Sequence, residues 1–318
     1  MRAPAVRAPA FRGLRASQRD TVSHIISGAL ASVVVVIIAA IFLFVAANAY
    51  QTFVVDHQSL GQVFLGQRWN PDEGLAGAAK LIIGSVTVTL GAVALSTPIS
   101  VGVALFITQI APPWMRRAMQ PVLELFTGLP SILYGFLGLV LLVPLVRNIE
   151  NALAGGVFYS GVGFIPAVLV LSIMIMPTIA SLAVDALRAV PNEVREGSLA
   201  LGATRWQTMW RTLVPAAASG ILTGVILGTG RAIGETMAVA FVVGGNANQW
   251  PFTLTNIYPY IGLNPTSTIT VQLLFDFQEA VPNSLNYHAI WTLALVLLLI
   301  SLLLVVASRA VAARGVAG

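Results

Sequence analysis

Arg231 and Glu235 stand four positions apart in GTGRAIGETMAVA (residues 228–240), within a long apolar stretch. A guanidinium presents a planar fork of N–H donors that fits a carboxylate or a tetrahedral oxyanion. Upstream, Gly220, Gly224 and Gly228 recur at every fourth residue. On a helix turning about 100° per residue, these glycines, Arg231 and Glu235 share one face roughly 80° wide. Small residues at that spacing let membrane helices approach closely. Both charges are therefore expected on the packing face, since exposure to lipid would cost an ion about 2.5–3.5 kcal/mol. Two readings stay open. In one, the pair only neutralises itself at a helix contact, although Arg before Glu is the less favourable order at this spacing. In the other, Arg231 faces a transport path and binds oxyanion oxygens, and Glu235 holds it in place and releases it.

Three further residues suit the same chemistry. Glu124 is expected near the inner end of a span, either as a helix N-terminal acid or as a gate that repels anions or pairs with an arginine. Ser131 and Tyr134 follow Pro130, where they either pack at a kink or donate hydrogen bonds to an anion. Pro98, Pro166 and Pro177 mark bends and identify no ligand.

The elements that position these groups follow from composition. The chain has 318 residues, 57% hydrophobic and only 9% charged, against roughly a quarter charged in soluble domains. Residues 25–49, 81–115, 125–146, 157–184, 212–230 and 289–308 carry no Asp, Glu, Lys or Arg. Each is about long enough to cross a hydrocarbon core as a helix, which predicts an all-α integral membrane protein with six transmembrane helices. Arginines cluster before the first span, at Arg116 and Arg117, between Arg188 and Arg211, and after the last span. The positive-inside rule then places both termini in the cytoplasm, with residues 1–20 read as a disordered arm that either marks topology or touches anionic lipid. The net charge of +5 is thus an orientation signal, and no nucleic acid is expected as a partner. The chain has no cysteine and three scattered histidines, and its one lysine, Lys80, precedes Leu81. No metal site, cofactor, catalytic residue or P-loop is expected, so any ATP must be hydrolysed by another chain.

The longest inner loop, residues 186–215, is more than a linker. Glu193 and Glu196 fall in the first turns of a candidate helix, and Gly202 is placed to end it in a left-handed conformation. Thr204 and Gln207 form a capping box for a second helix, on which Trp206, Met209 and Trp210 make an apolar face. That helix runs to Pro215. By shape alone the elbow either lies in the membrane interface or docks on a partner.

The loop resembles the EAA motif of ABC importer permeases. Glu196 is followed by the small residues Gly197 and Ser198, then three residues, Gly202, nine residues, and Thr212-Leu213-Val214-Pro215. GRAIGETMAVAFVVGGN (230–246), LELFTGLPSILYGFLG (123–138) and LGATRWQTMWRTLVPAAASGI (201–221) resemble the PstC-type permeases of phosphate importers. The resemblance covers about residues 20–310. It implies a type I ABC importer permease fold over residues 21–318 in a bacterial inner membrane. It also implies a coupling elbow in which Glu196, Gly202, Arg205, Trp206 and Trp210 meet an ABC ATPase dimer. The other implied partners are a second, PstA-like permease and an external phosphate-binding protein, which would meet the polar outer loop 244–286 with Trp250, Tyr258, Tyr260 and Tyr287. Phosphate rests on the resemblance, because one arginine suits sulfate or molybdate equally. A stand-alone secondary anion transporter would need inverted repeats and ion-coupling residues. An intramembrane enzyme would need a nucleophile–base or metal constellation. Neither pattern is evident.

Overall fold

The computed structural model describes residues 13–153, 160–251 and 265–316, with side chains over 24–152, 160–251 and 265–310. Tyr258 and Tyr260, expected as outer anchors, lie outside the described residues.

Helix α1 (Gly13–Val54) begins inside the segment expected to be a disordered arm. Beyond Pro9 that segment contains no further proline, and its Leu, Arg, Ala and Gln residues favour helix, so the helix extends backwards while the stretch apolar enough to cross a membrane begins at His24. A Ser59 capping box opens the short α2 (Leu60–Leu65). Trp69–Asn70 and Leu75–Ala76 then form a two-stranded hairpin, which with an isolated bridge between Gly244 and Thr266 departs from all-α architecture. Helix α3 (Ala79–Leu105) is prolonged by a π-helical turn over Phe106–Ile110. After Pro112, α4 (Pro113–Gly128) runs as an amphipathic helix with no buried residue.

Pro130 lacks an N–H and disfavours helix at the residue before it, and Leu129 is accordingly extended. The third span therefore covers Ser131–Ala152 rather than the charge-free window 125–146. It comprises α5 (Ser131–Leu137), a π-helical turn and α6 (Val143–Leu153). Helix α7 (Phe164–Ala189) follows, then α8 (Asn192–Ala200). The chain continues through α9 (Arg205–Thr208), a π-helical turn over Met209–Leu213, and α10 (Val214–Ala216) into α11 (Ala218–Ile233). These last two arms meet at 69°. Pro215 supplies the break by removing one backbone donor and crowding the preceding turn. The final elements are α12 (Met237–Ala240), α13 (Ile269–Glu279) and α14 (Leu285–Val316). Five single helices are long and apolar enough to cross a membrane, and the bent pair makes the sixth.

Helix α7 is the mostly buried axis of the bundle, packed by α3 on one side and α11 on another. Leu171, Met174, Ile175 and Ile179 are fully enclosed. Helix α1 is exposed along nearly its whole length and leans on α14 through the Thr52–Thr292 hydroxyl contact of 2.8 Å and the Phe44–Trp291 ring pair. In lipid, leucine gains little by leaving one apolar phase for another, so close packing must hold the helices together. The glycine stripe supplies it. A Cβ on Gly220 would overlap Ala186, and one on Gly228 would come within 2.9 Å of Ile179. One on Gly224 would sit 3.1 Å from Leu182. The stripe expected from spacing is thus the α11–α7 contact.

Candidate functional site

Helix α11 ends at Ile233, and residues 234–236 break it before α12. The Glu235 Oε1 accepts a hydrogen bond from the Ala238 N–H at 3.1 Å and so caps α12. The Glu235 carbonyl accepts one from the Thr270 hydroxyl at 2.9 Å. The helical wheel that put Arg231 and Glu235 on one face therefore stops short of Glu235. No ion pair joins them: among the described residues the only ion pair is His288–Asp56, at 2.8 Å. The break removes the direct contact that self-neutralisation of the pair would use, because the Glu235 carboxylate captures a backbone donor of α12 instead.

Arg231 lies instead against the C-terminal end of α4 and the middle of α7. One Nη donates to the Thr127 carbonyl at 3.3 Å and to the Thr178 hydroxyl at 3.4 Å. The Tyr134 hydroxyl donates to the adjacent Phe126 carbonyl at 2.6 Å. The last four carbonyls of a helix lack intrahelical donors; Arg231 supplies one to Thr127, and Tyr134 adds a short bond to the Phe126 carbonyl, which the Leu129 N–H reaches only at 3.4 Å. Tyr134 is buried and its proton is spent on this turn. Arg231 makes only long bonds to neutral groups and has no carboxylate within ion-pair distance among the described residues.

Glu124 departs from the first of its expected roles, a helix N-terminal acid, by position. It sits near the C-terminal end of α4, is exposed, and precedes the third span rather than lying in it. An acid there opposes the helix dipole, so it is not an N-terminal acid. Ser131 and Glu235 do meet. Both line an open cavity of about 710 Å³ walled by the 234–237 break, α13 and α14, with Thr236, Thr270 and Gln278 as further polar groups. Arg231, Tyr134 and Glu124 are not among its walls. Spacing alone missed Thr127, Thr178 and Thr270. Each is an ordinary threonine whose role depends on a neighbour far away in sequence.

At the opposite end, the elbow is built as its local sequence dictates. Gly202 has φ +86°, and no neighbour would meet a Cβ there. The Thr204 hydroxyl accepts from the Gln207 N–H, and the Gln207 side chain accepts from the Thr204 N–H. Met209 and Leu213 turn inward onto Leu105 and Leu187. Trp206 and Trp210 stay outside, their ring centroids 5.7 Å apart. The expected apolar face is thus split: Met209 anchors the elbow and the tryptophans are offered outward, beside exposed Arg205 and Glu196. A feature not read from sequence braces it, for the Ser198 hydroxyl lies 3.1 Å from that of Thr208 and 3.2 Å from that of Thr212.

Near the hairpin, Trp69 donates its indole N–H to Asp276 at 2.7 Å, and Gln272 donates to the other oxygen at 2.8 Å. Burial pushes the Asp276 carboxyl above the usual carboxylate range, against these two hydrogen bonds, which lower it. Lys80 donates to the Asn248 carbonyl at 2.7 Å and lies over the Trp250 ring.

Residues 96–315 match the family model of binding-protein-dependent transport system inner membrane components. The chain belongs to this family. The match starts within α3 and takes in the elbow, Arg231 and Glu235. Over 277 residues the permease is 35% identical to the probable ABC transporter permease protein YqgH of Bacillus subtilis, covering 86% of this chain and 85% of that one. It is also 35% identical to the phosphate transport system permease protein PstC of Pasteurella multocida, over 85% and 87% of the two chains. Among solved structures, it superposes on a bacterial alginate ABC transporter with a TM-score of 0.60 at 14% identity, covering 96% of this chain and 98% of that one. The MetNI methionine ABC transporter in an inward-facing form gives 0.53 at 19% identity, covering 73% and 93%. These likenesses show the fold: the permease is a multi-pass transport subunit of the ABC importer type.

Proposed function

We propose that this permease forms half of the passage of an ATP-driven importer of inorganic phosphate, with both termini and the elbow on the cytoplasmic side of the cell membrane. The observation that carries the substrate is the likeness to relatives named PstC over 85% of the chain. A guanidinium would serve sulfate or molybdate as well, so geometry alone does not choose among oxyanions. The family's dependence on a binding protein weighs against a stand-alone secondary transporter.

In this reading a separate ABC ATPase dimer grips the elbow at Glu196, Gly202, Arg205, Trp206 and Trp210. The elbow continues through a 69° bend into α11, so a push on it turns the helix that carries Arg231. The two long bonds of Arg231 to neutral oxygens are readily exchanged for shorter, charge-assisted bonds to an oxyanion. Glu235, held by the cap of α12, leaves the guanidinium free for the anion. A second, PstA-like permease completes the passage, and an external phosphate-binding protein meets the end near Trp69, Lys80 and Trp250. ATP is hydrolysed by the partner, and this chain does no bond chemistry.

Purification from detergent tests the assembly. The chain should bring down an ABC ATPase, and the ATPase activity of the complex should rise on adding phosphate-loaded binding protein. Absence of any bound ATPase would refute the reading.

A further inference from the structure

Four arginines at the elbow end have no part in the passage described above. Arg116, Arg188 and Arg195 line a cavity of about 200 Å³ together with Gln109, Pro191 and Asn192. Arg195 also lines an adjoining cavity of about 130 Å³, where it is joined by Arg205. No Asp or Glu lines either space. Among the described residues, none of the four has a carboxylate within ion-pair distance.

The local fold aims this charge at one place. Helix α3 stops at Ala111, and Arg116 returns its Nε–H to the Ala111 carbonyl at 2.8 Å, which fixes the guanidinium at the turn. Arg188, in the last turn of α7, donates one Nη–H to Gln120 at 2.7 Å and retains its others. Arg195 makes no side-chain hydrogen bond among the described residues. Helix α8 starts at this cavity too: Pro191, its N-cap, gives no side-chain cap, and while the Val194 N–H donates to the Pro191 carbonyl at 3.2 Å, the N–H groups of Asn192 and Glu193 have no acceptor among the described residues. Guanidinium forks from three helices and an uncapped helix start around one recess form an oxyanion-binding arrangement. The larger space far exceeds the roughly 10–15 Å³ of such volume that a single water needs, and so has room for a phosphate group with part of its hydration.

We propose that this recess is a second phosphate-group site, on the cytoplasmic face and separate from the passage. It rests on the proposed orientation. Its ligand is either free orthophosphate on the cytoplasmic side or the phosphodiester headgroup of an anionic lipid. The site lies where α3, α7 and α8 meet at the base of the elbow, so an occupied recess ties the elbow to the bundle and opposes its movement. Free phosphate there would slow further import as the product accumulates, whereas a lipid would hold the elbow in a fixed resting position.

The test uses the assembled complex carrying Arg231→Gln, which removes the passage arginine, so failure here is distinguishable from failure of the transport reading. In nanodiscs of zwitterionic lipid, radiolabelled orthophosphate should bind saturably. Adding Arg116→Gln and Arg195→Gln should weaken that binding at least tenfold. In nanodiscs containing phosphatidylglycerol, native mass spectrometry reads retained lipid. Retention that the same two substitutions abolish, without orthophosphate binding, assigns the site to a headgroup. If neither orthophosphate binding nor lipid retention changes on removing the two arginines, the proposal is overturned.

Discussion

Arg231 is the residue on which the functional account turns. Its unpaired charge inside the bundle is what distinguishes an anion ligand from a structural brace. Arg231→Gln keeps a hydrogen-bond donor for Thr127 and removes the cation. The complex should assemble at normal yield while phosphate uptake falls to a few per cent or less. Because Glu235 caps α12 and does not pair with Arg231, adding Glu235→Gln should restore nothing; recovered uptake in the double variant would return both residues to a purely structural role. Asp276 gives a pH dependence. Its carboxyl is raised in the folded state from the ordinary 3.8, so the folded chain holds the proton more tightly than the unfolded one. That contribution is complete below the unfolded pKa and is lost as pH rises through the folded value. The melting temperature of the complex should therefore climb modestly on lowering the pH from neutral towards that range, and Asp276→Asn should flatten the dependence. The glycines and Arg231 were legible in the sequence because one helix carries them. Glu235 was not, since a periodicity argument assumes the helix continues, and a single side chain capturing the Ala238 N–H ends it.

Elements that depend on local chemistry were the most legible. The capping box of Thr204 and Gln207 and the left-handed Gly202 involve neighbours a few residues apart, and both form as their residue types require. Gly202→Val should strain the elbow by roughly 1–3 kcal/mol without touching a span. Membrane insertion should persist, and substrate-stimulated ATP hydrolysis and uptake should both drop; full stimulation in that variant would show that the elbow does not couple. The α11–α7 contact supports a paired comparison. Gly220→Ala overlaps Ala186, whereas a Cβ on Gly230 meets nothing closer than Val305 at 3.9 Å. Overpacking costs about 1–3 kcal/mol, so Gly220→Ala should lower the melting temperature and Gly230→Ala should leave it equal or higher. Span limits were less legible. Charge-free windows located the third span too early, because hydropathy does not separate an exposed apolar stretch of α4 from the helix that crosses after Pro130.

For the whole molecule, the sequence conveyed class and span number through composition, and the likeness to ABC importer permeases through the elbow and the Gly-Glu-Thr step. It conveyed nothing of how α4 and α7 converge on Arg231, since that depends on contacts such as Thr127 to Arg231, 104 positions apart in sequence. Orientation can be checked by fusion. A reporter active only in the cytoplasm should work after Ala118 or at the C-terminus and be silent after Asn283. The most direct measurement is ATP-driven uptake of radiolabelled phosphate into proteoliposomes holding this permease with its second permease, ATPase and binding protein. Uptake should require ATP on the elbow side and loaded binding protein on the other, and equimolar sulfate or molybdate should not compete. Absence of phosphate uptake, or uptake that continues without the ATPase, would contradict the account.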